Sequence, residues 1–475
     1  MIEELKEYTG AIYGVPYQGS KNLIAPFIIS TLPKCNVFVD MFCGGGAVSH
    51  CAMKVGKAES YIMNDLNSDA MYIYKTALEG GYEHYTDWVD RQTFECSSDP
   101  FVRLMWSFNC ARVSYLYKKE IEPFKHALHN VIIFCNHSLM ESMGIHLPEC
   151  KYKSLNLRRL FYRRYINNNN EKIHSQYCAW YKNTVLNIGA TWRAELSRAE
   201  FQKSELCKRF IHVAAKSGYT LAELNRHLDN QMARHYFTNS QWEMPTTEAF
   251  ARLQEILPDL ASISLKEYEA VKSVFARERS RKEIEKKIMM HELENEQRMQ
   301  RLRKIHEMQK NIEAVHYYAI DYERLYEAEV KKLRTDGRVV LYCDPPYIGK
   351  DSKGYSANNN RDGIVFDHER FYAFCERVAD EAGEVFISEM SMPEDRFVCL
   401  LNIPKRNLFS SKVVYNTEKL FIPRKQYEQH KNEYIQRALC VINTQNTYAV
   451  CCTLGKEIQS KERLNNNGQF KISFI

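Results

Sequence analysis

The stretch "NVFVDMFCGGGAVSHCAMKVGKAESYIMND", Asn36 to Asp65, decides the fold. Asn36 to Phe42 is a short run rich in β-branched and aromatic residues, and it ends in the glycines Gly44, Gly45 and Gly46. "AVSHCAMKVG" then fits a helix, and Ser60 to Asp65 a second strand. Strand, glycine turn, helix and strand in this order open a doubly wound parallel sheet. "MYIYKTALEGG" continues it with a helix closed by Gly80 and Gly81. The pattern then stops for more than 200 residues. It resumes with the buried-strand candidate "RVVLYCDPPY", the helix-like "HERFYAFCERVADEA" and the strand candidate Glu384 to Glu389. A parallel sheet interrupted by a large insertion accounts for this order.

Composition sets the outer limits. The chain has 475 residues, of which 45% are hydrophobic and 26% charged, enough for a large core and at least one further module. No stretch reaches the roughly 18 apolar residues of a membrane span, and the N-terminus "MIEELKEYTGAIYG" has no signal-peptide layout, so a cytoplasmic protein without membrane attachment is expected. Fifteen scattered cysteines read as reduced thiols. The net charge of +6 is unevenly spread: residues 151–234 hold 16 Lys and Arg against 6 Asp and Glu, an excess of +10, which leaves the remainder at −4. A local excess of that size suits a docking polyanion.

Two motifs carry chemistry. A glycine turn after the first strand lets backbone approach a nucleotide-like ligand, and an acid ending the second strand can hold its ribose hydroxyls; here Asp65 follows Gly46 by 19 residues. This points to an adenosine cofactor without separating NAD from S-adenosylmethionine. The strand end "VVLYCDPPYIG", Val339 to Gly349, separates them. Hydride transfer has no use for an acid, two prolines and an aromatic at that place, whereas methylation of an exocyclic amine uses each. The lone pair of the adenine amino group is delocalised into the ring and is a poor nucleophile. If Asp344 and the carbonyl of Pro345 accept its two N–H bonds, the nitrogen can pyramidalise and aim at the methyl donor. Pro345 and Pro346 fix the backbone that carries those acceptors. Tyr347 would stack on a target base flipped from the duplex.

With these residues in hand, the chain resembles the Dam-like (D12 class) family of DNA adenine-N6 methyltransferases. The likeness rests on "PYQGSK" (Pro16 to Lys21), "DMFCGGG" (Asp40 to Gly46), "NDLNSD" (Asn64 to Asp69) and "WSFNCARVSYLY" (Trp106 to Tyr117). It continues after a long insert with "DPPY" (Asp344 to Tyr347), "FDHERFYAFCERV" (Phe366 to Val378), "ISEMSMP" (Ile387 to Pro393) and "TEKLFI" (Thr417 to Ile422). It covers roughly residues 1–117 and 317–422. Asn109 stands where relatives often carry glycine, and Met390 where an aromatic often follows.

The resemblance implies an α/β fold. In it a Rossmann-like S-adenosylmethionine-dependent methyltransferase domain, residues 1–100 and 317–424, is interrupted by a mainly helical target-recognition insert, 101–316, and followed by an extension, 425–475. It implies that Tyr17 and Lys21 touch the cofactor, that Phe42, Gly44 and Gly46 shape the loop under its methionine half with Asp40 nearby, and that Asp65 binds the ribose. Asp344 would serve both the cofactor's surroundings and the target amine. Double-stranded DNA is the implied substrate, bound by a monomer, and a cognate restriction enzyme is a partner such an enzyme can have. Methylation of an RNA adenine or a protein amide shares the strand-end logic. A catalytically silent DNA-binding relative would keep the fold alone.

Within the insert, "TLAELNRHLDNQMARHYFTNSQWEMPTTEAFARLQEIL", Thr220 to Leu257, reads as helix, turn, helix and a third helix started by Pro245. Thr220 and Glu223 can form a capping box, and Leu221, Leu224 and Leu228 an apolar face. The second helix, about Asn230 to Phe237, would offer Asn230, Gln231, Arg234 and His235 to base edges and phosphates, and the pattern resembles the lambda-repressor helix-turn-helix. Residues 276–312 read as one long amphipathic helix. His126, His129, Cys135, His137, His146 and Cys150 match no common zinc spacing, and amine methylation needs no metal, so none is expected.

Overall fold

The computed structural model describes residues 13–286, 288–307, 315–334, 337–347, 366–381, 383–409 and 412–445. The expected extension beyond residue 445, the end of the long helix beyond residue 307, and Ile348 and Gly349 lie outside them. The chain forms two compact units, divided at residues 116/117 and 293/294.

The first unit is built on one seven-stranded sheet. In chain order its strands are β1 Val37–Asp40, β2 Ser60–Asn64, β3 Val315–Tyr318, β4 Val339–Cys343, β5 Glu384–Glu389, β6 Phe397–Phe409 and β7 Lys412–Pro423. They lie in the order β3-β2-β1-β4-β5-β7-β6. β1 to β5 are parallel, β7 runs against β5, and β6 against β7. This mixed α/β sheet is compatible with a methyltransferase fold.

The apolar runs read as buried strands are buried on both faces. All five residues of β4 and all six of β5 are buried, as expected where helices cover a parallel sheet. Ala47–Lys54 links β1 to β2, Ser68–Leu78 follows β2, and His368–Asp380 precedes β5. Asn67 starts the second of these helices by accepting the Asp69 N–H at 3.2 Å, and Asp367 starts the third by accepting that of Arg370 at 3.0 Å. One core joins Val39, Leu341, Cys343, Val385 and Ile387 to Phe371, Phe374, Cys375 and Val378.

The second unit, residues 117–293, is helical where described and narrower than the 101–316 read from the sequence. The reason is visible at Glu294–His306, which packs with the sheet unit: Arg298 donates to the carbonyls of Met105 (2.7 Å) and Ser107 (2.8 Å), and Arg301 to that of Tyr13 (3.0 Å). The single long helix expected over 276–312 is therefore corrected to two, Leu265–Glu285 and Glu294–His306. Between them the backbone is not helical. There Met290 and Leu293 are fully buried and Glu292 pairs with Arg163 at 2.9 Å, so tertiary contacts override the helical period.

The helices of Thr220 to Leu257 are Leu221–Leu228, Ala233–Phe237 and Thr247–Ile256. The Thr220–Glu223 capping box is present. The second helix is shorter than the expected Asn230 to Phe237. Asp229 is left-handed (φ 54°) and ends the first helix, the side-chain oxygen of Asn230 accepts the Met232 N–H at 2.9 Å, and that of Asn225 accepts the Ala233 N–H at 2.8 Å. Asn230 and Gln231 therefore lie in the turn. Leu224 and Leu228 enter a core with Phe210, Phe237, Phe250 and Tyr268, whereas Leu221 is exposed.

Candidate active site

The carboxyl ends of β1, β2 and β4 open into a cavity of about 780 Å³ within the sheet unit. Ligands of open α/β sheets bind at this edge, because the loops leaving the strands leave backbone groups free there. Tyr17, Lys21, Asp40, Phe42, Gly44, Asp65, Asp344, Pro345, Pro346 and Tyr347, all named from the sequence, line it.

The glycine loop leaves β1 and turns back on itself. Gly44 and Gly46 hold left-handed backbone, at φ 48° and 69°. A Cβ on Gly45 would come 2.7 Å from Cβ of Tyr17, so the Tyr17 segment closes over the loop only because glycine stands there. Gly46 is the exception among the expected cofactor residues. It does not line the cavity but starts the helix Ala47–Lys54, where a Cβ would come 2.8 Å from Cε of Met63.

Asp65 ties this loop to β2. One carboxylate oxygen accepts the Gly44 N–H at 2.8 Å, and the other accepts that of Asn67 at 2.8 Å. Burial pushes its pKa up, against the pull of the two backbone donors. Its neighbour Asn64 braces the strand ends by donating to the carbonyls of Met41 and Ile320, each at 3.0 Å.

Asp40 ends β1 and is buried. One of its oxygens accepts the Ser49 hydroxyl at 2.6 Å. The other has no hydrogen-bond partner among the described residues. Burial raises its pKa to about 7, with the carboxylates of Asp344 and Asp65 adding to the rise and the Ser49 hydroxyl opposing it. Phe42 packs among Tyr322, Phe366 and Phe371, with ring centroids 5.3 to 5.9 Å away. Tyr322 and Phe366 also line the cavity, giving it one aromatic wall.

Asp344 lines the same cavity. Its carboxylate lies 2.8 Å from Nζ of Lys21, which is also 3.2 Å from Glu418 and 4.8 Å from the centroid of the Tyr347 ring. Burial opposes the Lys21 charge, but Asp344 and Glu418 outweigh it and hold the ammonium pKa above its ordinary value. Pro345 is buried and Pro346 exposed, so the rigid pair is anchored at one end.

The arrangement suits S-adenosylmethionine. The cavity wall holds six aspartates, Asp40, Asp65, Asp69, Asp321, Asp344 and Asp367, against Lys21 and Arg370, an excess of acid that favours a cationic ligand. One buried oxygen of Asp40 is an acceptor without a donor among the described residues, and the glycines let Tyr17, which also lines the cavity, close over the loop. Glu418 was not singled out from the sequence, although "TEKLFI" contains it; only the antiparallel return of β7 brings it to this edge. Asp321 and Tyr322 were missed with the four-residue strand β3 that precedes them.

The other expected residues lie in the helical unit. Gln231 and Arg234 are exposed, whereas Asn230 and His235 are half-buried. Among the described residues no three His, Cys, Asp or Glu side chains are arranged to hold a metal ion, and no helix is long and apolar enough to cross a membrane. At Asn109, where relatives often carry glycine, the backbone is left-handed at φ 53°, a conformation that glycine takes without strain.

No curated protein matches the chain. A family model does. Residues 17–176, about a third of the chain and a segment that ends before Asp344, match the D12 class N6 adenine-specific DNA methyltransferase family, the one that the motifs resemble.

Proposed function

We propose that this chain transfers a methyl group from S-adenosylmethionine to N6 of adenine in double-stranded DNA, at a preferred sequence and with the target base flipped out of the duplex. One observation carries the reading: the Asp344 to Tyr347 strand end and the glycine loop with Asp65 face into the same cavity, so an adenosine-type ligand and an amine acceptor would meet there. The family match over residues 17–176 supports DNA adenine as the substrate class.

When bound, S-adenosylmethionine supplies an electrophilic methyl group on a sulfonium. The chain supplies the rest. The Gly44 to Gly45 backbone and the open oxygen of Asp40 receive the methionine half, and Asp65 stands where it can accept a ribose hydroxyl in addition to its two backbone donors. Asp344 and the Pro345 carbonyl accept the N–H bonds of the amino group, which frees its lone pair, and the Asp344 carboxylate lies where the departing amine proton is released. Lys21, paired with Asp344 at 2.8 Å, holds that carboxylate in place for the task. Tyr347 offers its face to the base. The excess of basic residues over 151–234 supports contact with the phosphate backbone, and Arg234 and Gln231 remain the best exposed candidates for site choice.

Expression in cells that lack adenine methylation, followed by single-molecule sequencing, tests the reading. The native chain is expected to modify one recurring site, and Asp344→Ala to lose roughly 100-fold or more of that activity while still binding cofactor. Unmodified DNA from cells holding soluble, cofactor-binding native protein would refute the enzyme.

A further inference from the structure

Glu418 has no role in the chemistry described so far, yet two side chains of the site, Lys21 and Tyr347, converge on it. β7 runs against β5 with Ser388 opposite Leu420 and Glu389 opposite Lys419, so Glu418 comes just past the carboxyl end of β5. Cys343 of β4 lies opposite Ile387 of β5, which puts Asp344 at the same edge. There Glu418 is 7% exposed, lies 3.2 Å from Nζ of Lys21 and accepts the hydroxyl hydrogen bond of Tyr347. Lys21 spans from it to Asp344 and lies over the Tyr347 ring.

A second buried carboxylate beside Asp344 is expensive, because the two share one ammonium. Burial and the charge of Asp344 both push the Glu418 pKa up, against the pull of Lys21. A residue placed at such a cost only for packing is better replaced by an apolar one of similar volume. What Glu418 adds is constraint. Lys21 has a flexible four-carbon stem, and two acceptors restrict its ammonium to one place. The Tyr347 ring can turn about its side-chain bonds, and a held hydroxyl stops that turn.

We propose that Glu418 is a positioning residue for methyl transfer: it holds Lys21 against Asp344 and fixes the Tyr347 ring through its hydroxyl, so that amine acceptor and stacking face are set before adenine enters. The proposal rests on the reading that Asp344 and Tyr347 serve the target amine.

The test uses the full chain, steady-state methyl transfer from S-adenosylmethionine to unmethylated duplex DNA, and cofactor dissociation constants measured by calorimetry. Glu418→Ala is expected to lower kcat by roughly 30-fold with the cofactor dissociation constant within about threefold of native, since the loss falls on orientation rather than on binding. Glu418→Gln, whose amide oxygen can still accept from Tyr347, should recover to within about fivefold of native, and Tyr347→Phe should lose about three- to tenfold. Glu418→Ala combined with Tyr347→Phe should be no more than about twofold slower than Glu418→Ala alone, because both remove the same bond. Native kcat in Glu418→Ala overturns the proposal, as do losses that multiply in the double variant or that follow weakened cofactor binding. Should Glu418→Ala not fold, Tyr347→Phe keeps the buried carboxylate and carries the test: an unchanged kcat overturns the proposal. Failure of the native chain to methylate DNA refutes the reading beneath it, whereas an active native chain with indifferent variants refutes this role alone.

Discussion

Asp40 shows how burial at the end of a strand becomes a pH response. Its folded pKa of about 7 lies above the 3.8 it has when free, so the folded chain holds a proton that the unfolded chain releases near pH 4. The sign follows: the stability this group contributes is fully present below about pH 4 and is lost as pH rises through 7. Asp40→Asn keeps an oxygen for the Ser49 hydroxyl and cannot ionise. Its unfolding free energy should therefore vary less than native between pH 4 and 7, by an amount on the order of 3 kcal/mol across that interval. Urea titrations of both proteins at pH 4, 5, 6 and 7 check this, and parallel pH dependences would mean that Asp40 is ionised throughout.

Among the elements, the helix His368–Asp380 packs beneath the strand end. It buries Phe371, Phe374, Cys375 and Val378 against β4 and β5, the two strands that flank Asp344 and Glu418. Phe374 is 1% exposed and meets Tyr322 and Tyr326 edge-on, with centroids 5.0 and 5.5 Å away. Phe374→Ala should cost about 3–5 kcal/mol, measured as a shift of the urea midpoint with little change in slope. This helix, β1, β2, β4 and β5 were legible because each has an unbroken apolar run or a clear helical period. β3 was not, since "VHYY" is four residues long with two of them half-buried, and a short run between helices carries no period to read. The long helix was misread for the converse reason. Its apolar spacing continues past Glu285, but Met290 and Leu293 are buried from backbone that is not helical, which a periodicity cannot distinguish. The site divides in the same way: the glycine loop, Asp65 and Asp344 announce themselves by spacing from strand ends, whereas Glu418 reaches the edge through an antiparallel pairing that no local pattern encodes.

On the scale of the whole chain, each of the two units has a core of its own. In the helical unit, the helices from Trp192 to Glu285 share a core built around Phe210, Phe250 and Tyr268, whose rings stack 3.9 to 6.4 Å apart. Arg234 is exposed on the short helix above that core, so its removal disturbs no packing. Arg234→Ala is expected to weaken DNA binding or relax site choice by about 1–3 kcal/mol with the cofactor dissociation constant unchanged. Band-shift titrations against the mapped site, with calorimetry alongside, check both halves. Native affinity and native site choice would leave Ala233–Phe237 as an ordinary helix of a hairpin.

The pairing of β1 with β4 joins Val37 to Val339 and Asp40 to Tyr342 across some 300 residues of chain. At about 5–20 residues per second, a ribosome needs on the order of tens of seconds to deliver β4 after β1 has emerged. Throughout that interval β1, a central strand in the finished sheet, has one side open to any other strand it meets. The helices from Trp192 to Glu285, which draw on their own core, have time to close first. The two acids that meet in the cavity, Asp40 and Asp344, are thus separated in the life of the molecule by most of its synthesis, and the hazard in making this protein falls in the wait between them.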